Sequence, residues 1–470
     1  MFELELSHAV LLILCLLAAC AFEFVNGFHD TANAVATVIY TNSLKPWTAV
    51  ILSGICNFVG VLIGGVGVAV GIINLLPVES LVDQDISHGI SMIMALLISA
   101  ISWNLFTWYF GIPCSSSHTL IGSILGVGIA YSLLPGADEA AVNWGKAQDI
   151  GVSLLISPLF GFSMTIILMF IIRNFTKKTK YADILFKEPK KNAKPPLLVR
   201  SILILTCGSV SLTHGSNDGQ KGVGLVMLIL IGIVPAYFSL NTKTDPTSLL
   251  EPVKKLELLL TQTDAEPLSQ HDQVKLTETI TLTRDLHARL SNVPSVESIP
   301  AKERFEVRKD ILLIDRHVKD LVNISEAKFS NHDKKVIEDE MKQIKGITDY
   351  SPYWVILMIA FSLGTGTMIG WKRIVKTIGE KIGKEHLTYA QGASAEIIAA
   401  STIGVSTYFS LPVSTTHVLS SGIAGSMVAT KGVKNLQSST IKNILMAWLL
   451  TLPVVLILSG GLFLIFRSLF

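Results

Sequence analysis

Four short polar segments stand out in a chain of 470 residues that is 50% hydrophobic and only 16% charged. Gly27-Phe-His-Asp-Thr-Ala-Asn33 and Gly215-Ser-Asn-Asp-Gly-Gln-Lys221 each set an acid, Asp30 or Asp218, three residues after a glycine and inside apolar sequence. A carboxylate in such surroundings is costly and marks an ion or proton path. The other two segments, Pro113-Cys-Ser-Ser-Ser-His118 and Pro412-Val-Ser-Thr-Thr-His417, share the form P-x-S-[ST]-[ST]-H. Proline suits a first helical turn, so helices are expected to start at Pro113 and Pro412. The free N–H groups of such a turn, with the hydroxyls of Ser115, Ser116, Ser117, Thr119, Ser414, Thr415 and Thr416, form a donor-rich pocket for an anion. A tetrahedral oxyanion suits it, because many short donors can surround it without fixed positive charge. Capping and helix–helix hydrogen bonding are the plainer use of the same hydroxyls.

Other polar residues join these segments. Lys221 is the one base within either acidic motif, and it could stand in for a bound cation or neutralise the anion. Glu396, in the apolar run Ala395 to Ile403, is a further intramembrane acid and a coupling candidate. Glu23 is similar but is expected near the membrane interface. His118 and His417 divide between structural hydrogen bonding and proton handling. Asn104 and Gln391 read as helix bridges. The glycines beside the acids (Gly27, Gly215, Gly219, Gly222, Gly224) would let the backbone unwind and expose carbonyls to a cation; close helix packing is the alternative.

The elements that must carry these residues are membrane helices. Apolar runs lie near 9–27, 47–76, 88–111, 150–172, 200–212, 223–240, 351–371, 388–411 and 441–467, several of them long enough to cross a bilayer. The mean hydropathy of +0.53 agrees. The spacing also shows a repeat: Asp30 to Pro113 is 83 residues, and Asp218 to Pro412 is 194. The excess nearly equals a charged block at 241–350, which holds 17 Lys+Arg and 20 Asp+Glu. The chain therefore reads as two copies of one unit, with a polar helical insert in the second. The basic linker 173–200 is expected in the cytoplasm and the acidic stretch 77–87 outside. Threading then inverts the copies, giving an all-α polytopic membrane protein, an inverted-repeat secondary transporter with about 10–12 transmembrane or re-entrant helices. Its parts are a first repeat (1–172), the linker (173–200), the start of the second repeat (201–240), the insert (241–350, expected outside the cytoplasm) and the remainder (351–470). The five cysteines have no CxxC or secreted spacing, and a net charge of +2 offers nothing to nucleic acid. A P-loop ATPase is excluded by the glycine spacing. An intramembrane Ser-His-Asp hydrolase would leave the second copy unexplained, and a channel would leave the acids unexplained, so no enzyme is expected.

At these residues the sequence resembles the inorganic phosphate transporter (PiT) family, whose doubled signature is approximately G-x-N-D-x-x-N with a P-x-S-x-T-H element downstream. His29-Asp-Thr-Ala-Asn-Ala-Val-Ala-Thr and His214-Gly-Ser-Asn-Asp-Gly-Gln-Lys-Gly are similar to the bacterial low-affinity Pit branch. The resemblance implies phosphate import by alternating access in a bacterial inner membrane. Asp30, Asn33, Asn217 and Asp218 would help form the ion and phosphate site, and Ser115 to Ser117 with Ser414 to Thr416 would supply phosphate contacts. His29 and Lys221 stand where sodium-coupled members usually have Asn. Both changes remove a neutral oxygen ligand, so coupling is expected to use protons rather than sodium, through Asp30, Asp218, His29, Lys221, Gln220 and Glu396. No cofactor is expected; a divalent metal could travel as a neutral metal–phosphate complex. Arsenate is a companion substrate, sulfate a weaker alternative, and the assembly expected is a homodimer in the lipid bilayer.

Overall fold

The computed structural model describes residues 4–76, 81, 86–135, 142–179, 181–189, 193–324, 327 and 329–469, with Asn33 described in its backbone alone. Glu79, Asp83 and Asp85 of the acidic stretch, and Lys180, Lys190 and Lys191 of the linker, lie outside the described residues. The chain divides into two units, one of Glu3–Ile229 with Pro352–Phe470 and one of Leu230–Ser351.

The first unit is built from helices α1 (Leu6–Tyr40), α2 (Pro46–Ile63), α3 (Gly67–Ile73), α4 (Ile86–Tyr109), α5 (Ser116–Ser132), α6 (Trp144–Thr176) and α7 (Leu197–Ile233). After the insert come α12 (Tyr353–Thr367), α13 (Lys372–Lys376, extended by a π turn at Thr377–Lys381), α14 (Tyr389–Tyr408), α15 (Thr415–Lys431) and α16 (Ser438–Leu469). Among the described residues, α1, α2, α4, α6, α7 and α16 are long and apolar enough to cross a membrane, and α12 with α13, bent by 52° at their junction, has the composition of one broken span or a re-entrant loop. Helices α6 and α16 turn Leu155, Leu159, Leu449 and Ile457 outward, as lipid-facing helices do. Helices α5 and α15, 17 residues each, are instead buried almost all round.

Two expectations are corrected here. The acidic motifs do not break their helices: α1 runs through Gly27–Asn33 and α7 through Gly215–Lys221, so no carbonyls are unwound for a cation. The glycines serve packing instead. A Cβ on Gly27 would lie 2.5 Å from Leu363 O of α12, and one on Gly215 would lie 2.2 Å from Asn57 O of α2. The partner helices answer in kind, since a Cβ on Gly366 would meet Phe24 O at 2.1 Å and one on Gly60 would meet Leu212 O at 2.2 Å. Nor do helices begin at Pro113 or Pro412. Ser115 and Ser414 are the N-caps, each accepting a 3.2 Å hydrogen bond from the backbone N–H of His118 or His417. A serine cap satisfies an orphan N–H, which a proline at N1 cannot do, so the helix starts one residue after the serine.

The two halves of the chain interlock. The helix after each P-x-S motif packs along a long helix from the other half, α5 on α16 and α15 on α6. Close approach at Gly126 to Leu456 and at Gly425 to Phe162 cements both pairs.

The second unit holds α8 (Leu250–Thr261), α9 (Gln270–Leu290), α10 (Ala301–Asn323) and α11 (Asn331–Lys345) around its own core, which includes Leu256, Leu286, Ile311 and Ile344. Its two ends are tied together. Arg308, buried on α10, donates to Ser239 O and Thr348 O, Asn241 N–H donates to Ile347 O, and Tyr350 donates to Phe238 O. Ends held this close are what allow a module to sit inside one connection of another domain.

Candidate functional site

Asp30 on α1 and Asp218 on α7 meet in one buried cluster. His214, one turn before Asp218, lies between them, its Nε2 3.5 Å from Asp30 Oδ2 and 3.5 Å from Asp218 Oδ2. Lys221 follows on the same face, 2.6 Å from Asp218 Oδ1. Its ammonium also donates to Val413 O at 2.9 Å and to Ser117 Oγ. Three acceptors match the three N–H bonds of its ammonium group. Exposures of 3% for Asp30, 1% for Asp218 and 2% for Lys221 remove solvent screening, so each charge depends on its neighbours.

The hydroxyl motifs close the cluster crosswise. Thr415 donates to Asp30 Oδ2 at 3.3 Å and Thr416 to Asp30 Oδ1, so the acid of the first repeat meets the P-x-S helix of the second. In the mirrored arrangement Ser117 of the first repeat meets Asp218 of the second through Lys221. The two helix N-termini lie close together, with the His118 and His417 rings 4.7 Å apart and His417 stacked on Trp448. Ser116 Oγ is buried and has no hydrogen-bond partner among the described residues.

Other expected residues are placed less centrally. His29 sits 3.7 Å from Asp30 through Nδ1, while its Nε2 meets Thr107 at 3.2 Å. Asn217 binds Thr407, Leu411 O and Val413 N–H, so it shapes the second P-x-S loop. Gln220 is taken up by the α2–α3 turn, donating to Gly64 O and accepting from Val68 N–H, where Gly65 has φ +79°. Thr119 donates back to Ser115 O, and Gln391 caps α14. Glu396 lies apart from the cluster, receiving the Thr206 hydroxyl. The Asn33 side chain lies outside the described residues. Glu23, expected near the interface, is fully buried beside α7, because Gly222 makes room for it.

Sequence reasoning missed His214, Asn57 and Thr367. Asn57 Oδ1 meets His214 Nδ1 at 2.8 Å, and Asn57 Nδ2 donates to Thr367 at 2.9 Å. The His-x-x-x-Asp spacing put His214 on the face of Asp218; nothing in α2 or α12 marked the other two. Asp30, His214 and Asp218 offer ligand atoms within 4.8 Å of one another. This oxygen–nitrogen set fits a divalent cation, though one could enter only by displacing Lys221 or the threonine hydroxyls.

Comparison with known proteins identifies the family. The profile of the phosphate transporter family (PHO4) matches residues 26–459. The low-affinity inorganic phosphate transporter PitA of Escherichia coli (strain K12) is 40% identical over 489 residues, covering 98% of this chain and 97% of that protein. A probable low-affinity inorganic phosphate transporter of Bacillus subtilis (strain 168) is 30% identical over 445 residues, covering 95% and 94%. A solved structure described as the sodium-dependent phosphate transporter shares the fold, with a TM-score of 0.56 at 18% identity over 98% of this chain and all of the other. With acid and hydroxyl motifs doubled and interlocked in an all-helical membrane unit, the chain is an integral membrane protein that belongs to the phosphate transporter family.

Proposed function

We propose that the protein imports inorganic phosphate across the bacterial inner membrane by symport with protons, opening in turn to each side around the Asp30–Asp218 cluster. The observation that carries this reading is the Lys221 ammonium, which joins Asp218 of one repeat to Ser117 of the other and to Val413 O. It stands where a coupling cation would be held and makes a metal ion unnecessary for neutralising Asp218. The phosphate donors are Ser116, Ser117, Thr415 and Thr416, with the N-terminal turns of α5 and α15 behind them. In the closed arrangement three of these hydroxyls turn to Asp30 or Val413 O. Opening the site would release them to an oxyanion. Each net negative charge brought in against ~100 mV costs about 2.3 kcal/mol, so accompanying protons are what make import favourable. Arsenate, of the same shape and charge, would follow phosphate.

A second reading has its own observation. The Asp30, His214 and Asp218 ligand atoms could hold the cation of a neutral divalent metal–phosphate complex, the metal then being part of the substrate. Labelled-phosphate uptake into proteoliposomes under an imposed pH gradient, with sodium and magnesium varied separately, tests both. Proton-driven uptake independent of sodium is expected, with Lys221→Asn losing it. Uptake driven by sodium alone, or a Lys221→Asn protein with full proton-driven uptake and no sodium dependence, would overturn the reading.

A further inference from the structure

We propose that Glu23 is the proton-carrying acid of the transport cycle, a site separate from the Asp30–Asp218 cluster and poised against it. The proposal rests on the proton-symport reading and names the group that performs it. Glu23 is 0% exposed, on α1, seven residues before Asp30. Its Oε2 accepts a 3.2 Å hydrogen bond from Asn26, and its Oε1 has no hydrogen-bond partner among the described residues. The side chain fills the space left by Gly222 on α7, where an added Cβ would lie 2.5 Å from Glu23 Cγ. That places it beside the turn carrying Lys221, where His214, Asp218 and Lys221 are the charged groups that act on it from α7.

A count of protons and charges shows why Glu23 differs from the other two acids. Lys221 is committed to Asp218, Ser117 and Val413. The state of His214 follows from its neighbours. Thr367 gives its hydroxyl proton to Leu363 O and therefore accepts from Asn57 Nδ2, which leaves Asn57 Oδ1 to accept from His214 Nδ1–H. The other ring nitrogen, Nε2, lies 3.5 Å from a carboxylate oxygen of Asp30 and 3.5 Å from one of Asp218. His29 is bound at Nε2 by Thr107 and makes no hydrogen bond through Nδ1 among the described residues. Lys221 and His214 thus both face Asp30 or Asp218, and neither reaches the Glu23 carboxylate within hydrogen-bond distance among the described residues. Glu23 is a third acid in a dry site with no cation of its own, and a bare carboxylate there would be far costlier than a neutral carboxyl. Glu23 therefore holds a proton in this closed state. When the site opens to water on the low-proton side, the O–H bond of the carboxyl breaks, the proton passes to water and the carboxylate remains. It then competes with Asp218 for Lys221 until it is protonated again from the other side.

Glu23→Gln keeps the shape of the neutral acid and cannot release a proton. The test is phosphate accumulation in proteoliposomes under a one-unit pH gradient, beside phosphate–phosphate exchange at equal pH, which needs no proton turnover. One proton per cycle gives about tenfold accumulation across such a gradient. The expected result is accumulation near unity in Glu23→Gln, with its ratio to exchange falling about tenfold. Tenfold accumulation retained by the variant would overturn the proposal while leaving proton symport standing. Exchange and accumulation lost together, in protein whose detergent melting temperature has also fallen, would assign Glu23 a structural role instead. Wild-type accumulation that follows sodium and ignores pH would overturn proton symport and this proposal with it.

Discussion

At the scale of single residues the site is held by paired charges, and the pairing predicts how it fails. Removing Lys221 leaves the Asp218 carboxylate buried with His214 alone, and breaking a buried pair from one side costs about 3–5 kcal/mol. Replacing both partners with neutral groups of similar shape is close to neutral. Lys221→Gln should therefore melt well below wild type in detergent, while the double variant Lys221→Gln with Asp218→Asn regains most of the loss and still takes up no phosphate. A double variant as unstable as the single one would mean that Lys221 is held by Ser117 and Val413 O rather than by its charge partner. The residues of this pair were legible in sequence because an acid or a base inside apolar sequence is costly wherever it lands. His214 was less so, since its role depends on a face of α7 that meets α1 only in three dimensions. Asn57 and Thr367 orient that histidine from α2 and α12, and neither stands in a motif.

Among the elements, close packing at glycine replaces the unwinding that the motifs suggested, and this too can be measured. Gly215→Ala would drive a Cβ to 2.2 Å from Asn57 O, so α2 and α7 must part, at a cost of about 1–3 kcal/mol. Gly208→Ala, two turns earlier on α7, would place its Cβ an ordinary 3.7 Å from Cys56 Sγ. There the gain in helix propensity, about 0.5–1 kcal/mol, should dominate. The two variants are thus expected to move the melting temperature in opposite directions, and a fall in both would remove the packing argument. The pairing of the motifs was readable from spacing, because matched motifs keep their offsets whatever the fold does between them. The continuity of α1 and α7 was not. Hydropathy treats Gly27–Asn33 and Gly215–Lys221 as interruptions, whereas a polar face turned into a protein interior leaves the helix intact. The starts of α5 and α15 were misjudged by a similar shortcut, in which proline was weighed and the serine cap two residues on was not.

Across the membrane unit, the crossed packing means that neither half of the chain is a complete body. Helix α5 lies on α16 and α15 on α6, while α1 packs on α12, and α2 and α7 meet at Gly60 and Gly215. Each repeat alone would expose the glycine and hydroxyl faces that the other covers, including Ser117, Thr415 and Thr416. If the protein opens in turn to each side as proposed, the rocking would involve groups of helices drawn from both halves of the chain, such as α4, α5 and α16 against α6, α14 and α15, with the proposed site between the N-termini of α5 and α15. A chain divided within the basic linker, between the exposed Lys187 and Glu188, tests this. Co-expressed halves should copurify and restore phosphate uptake, because the contacts that define both groups form between the halves. Expressed singly, each half should be degraded or extracted only as aggregate. A first half that proved stable and monodisperse alone would show that the repeat is a self-sufficient body, and the crossed packing would then be an assembly contact rather than the basis of the fold.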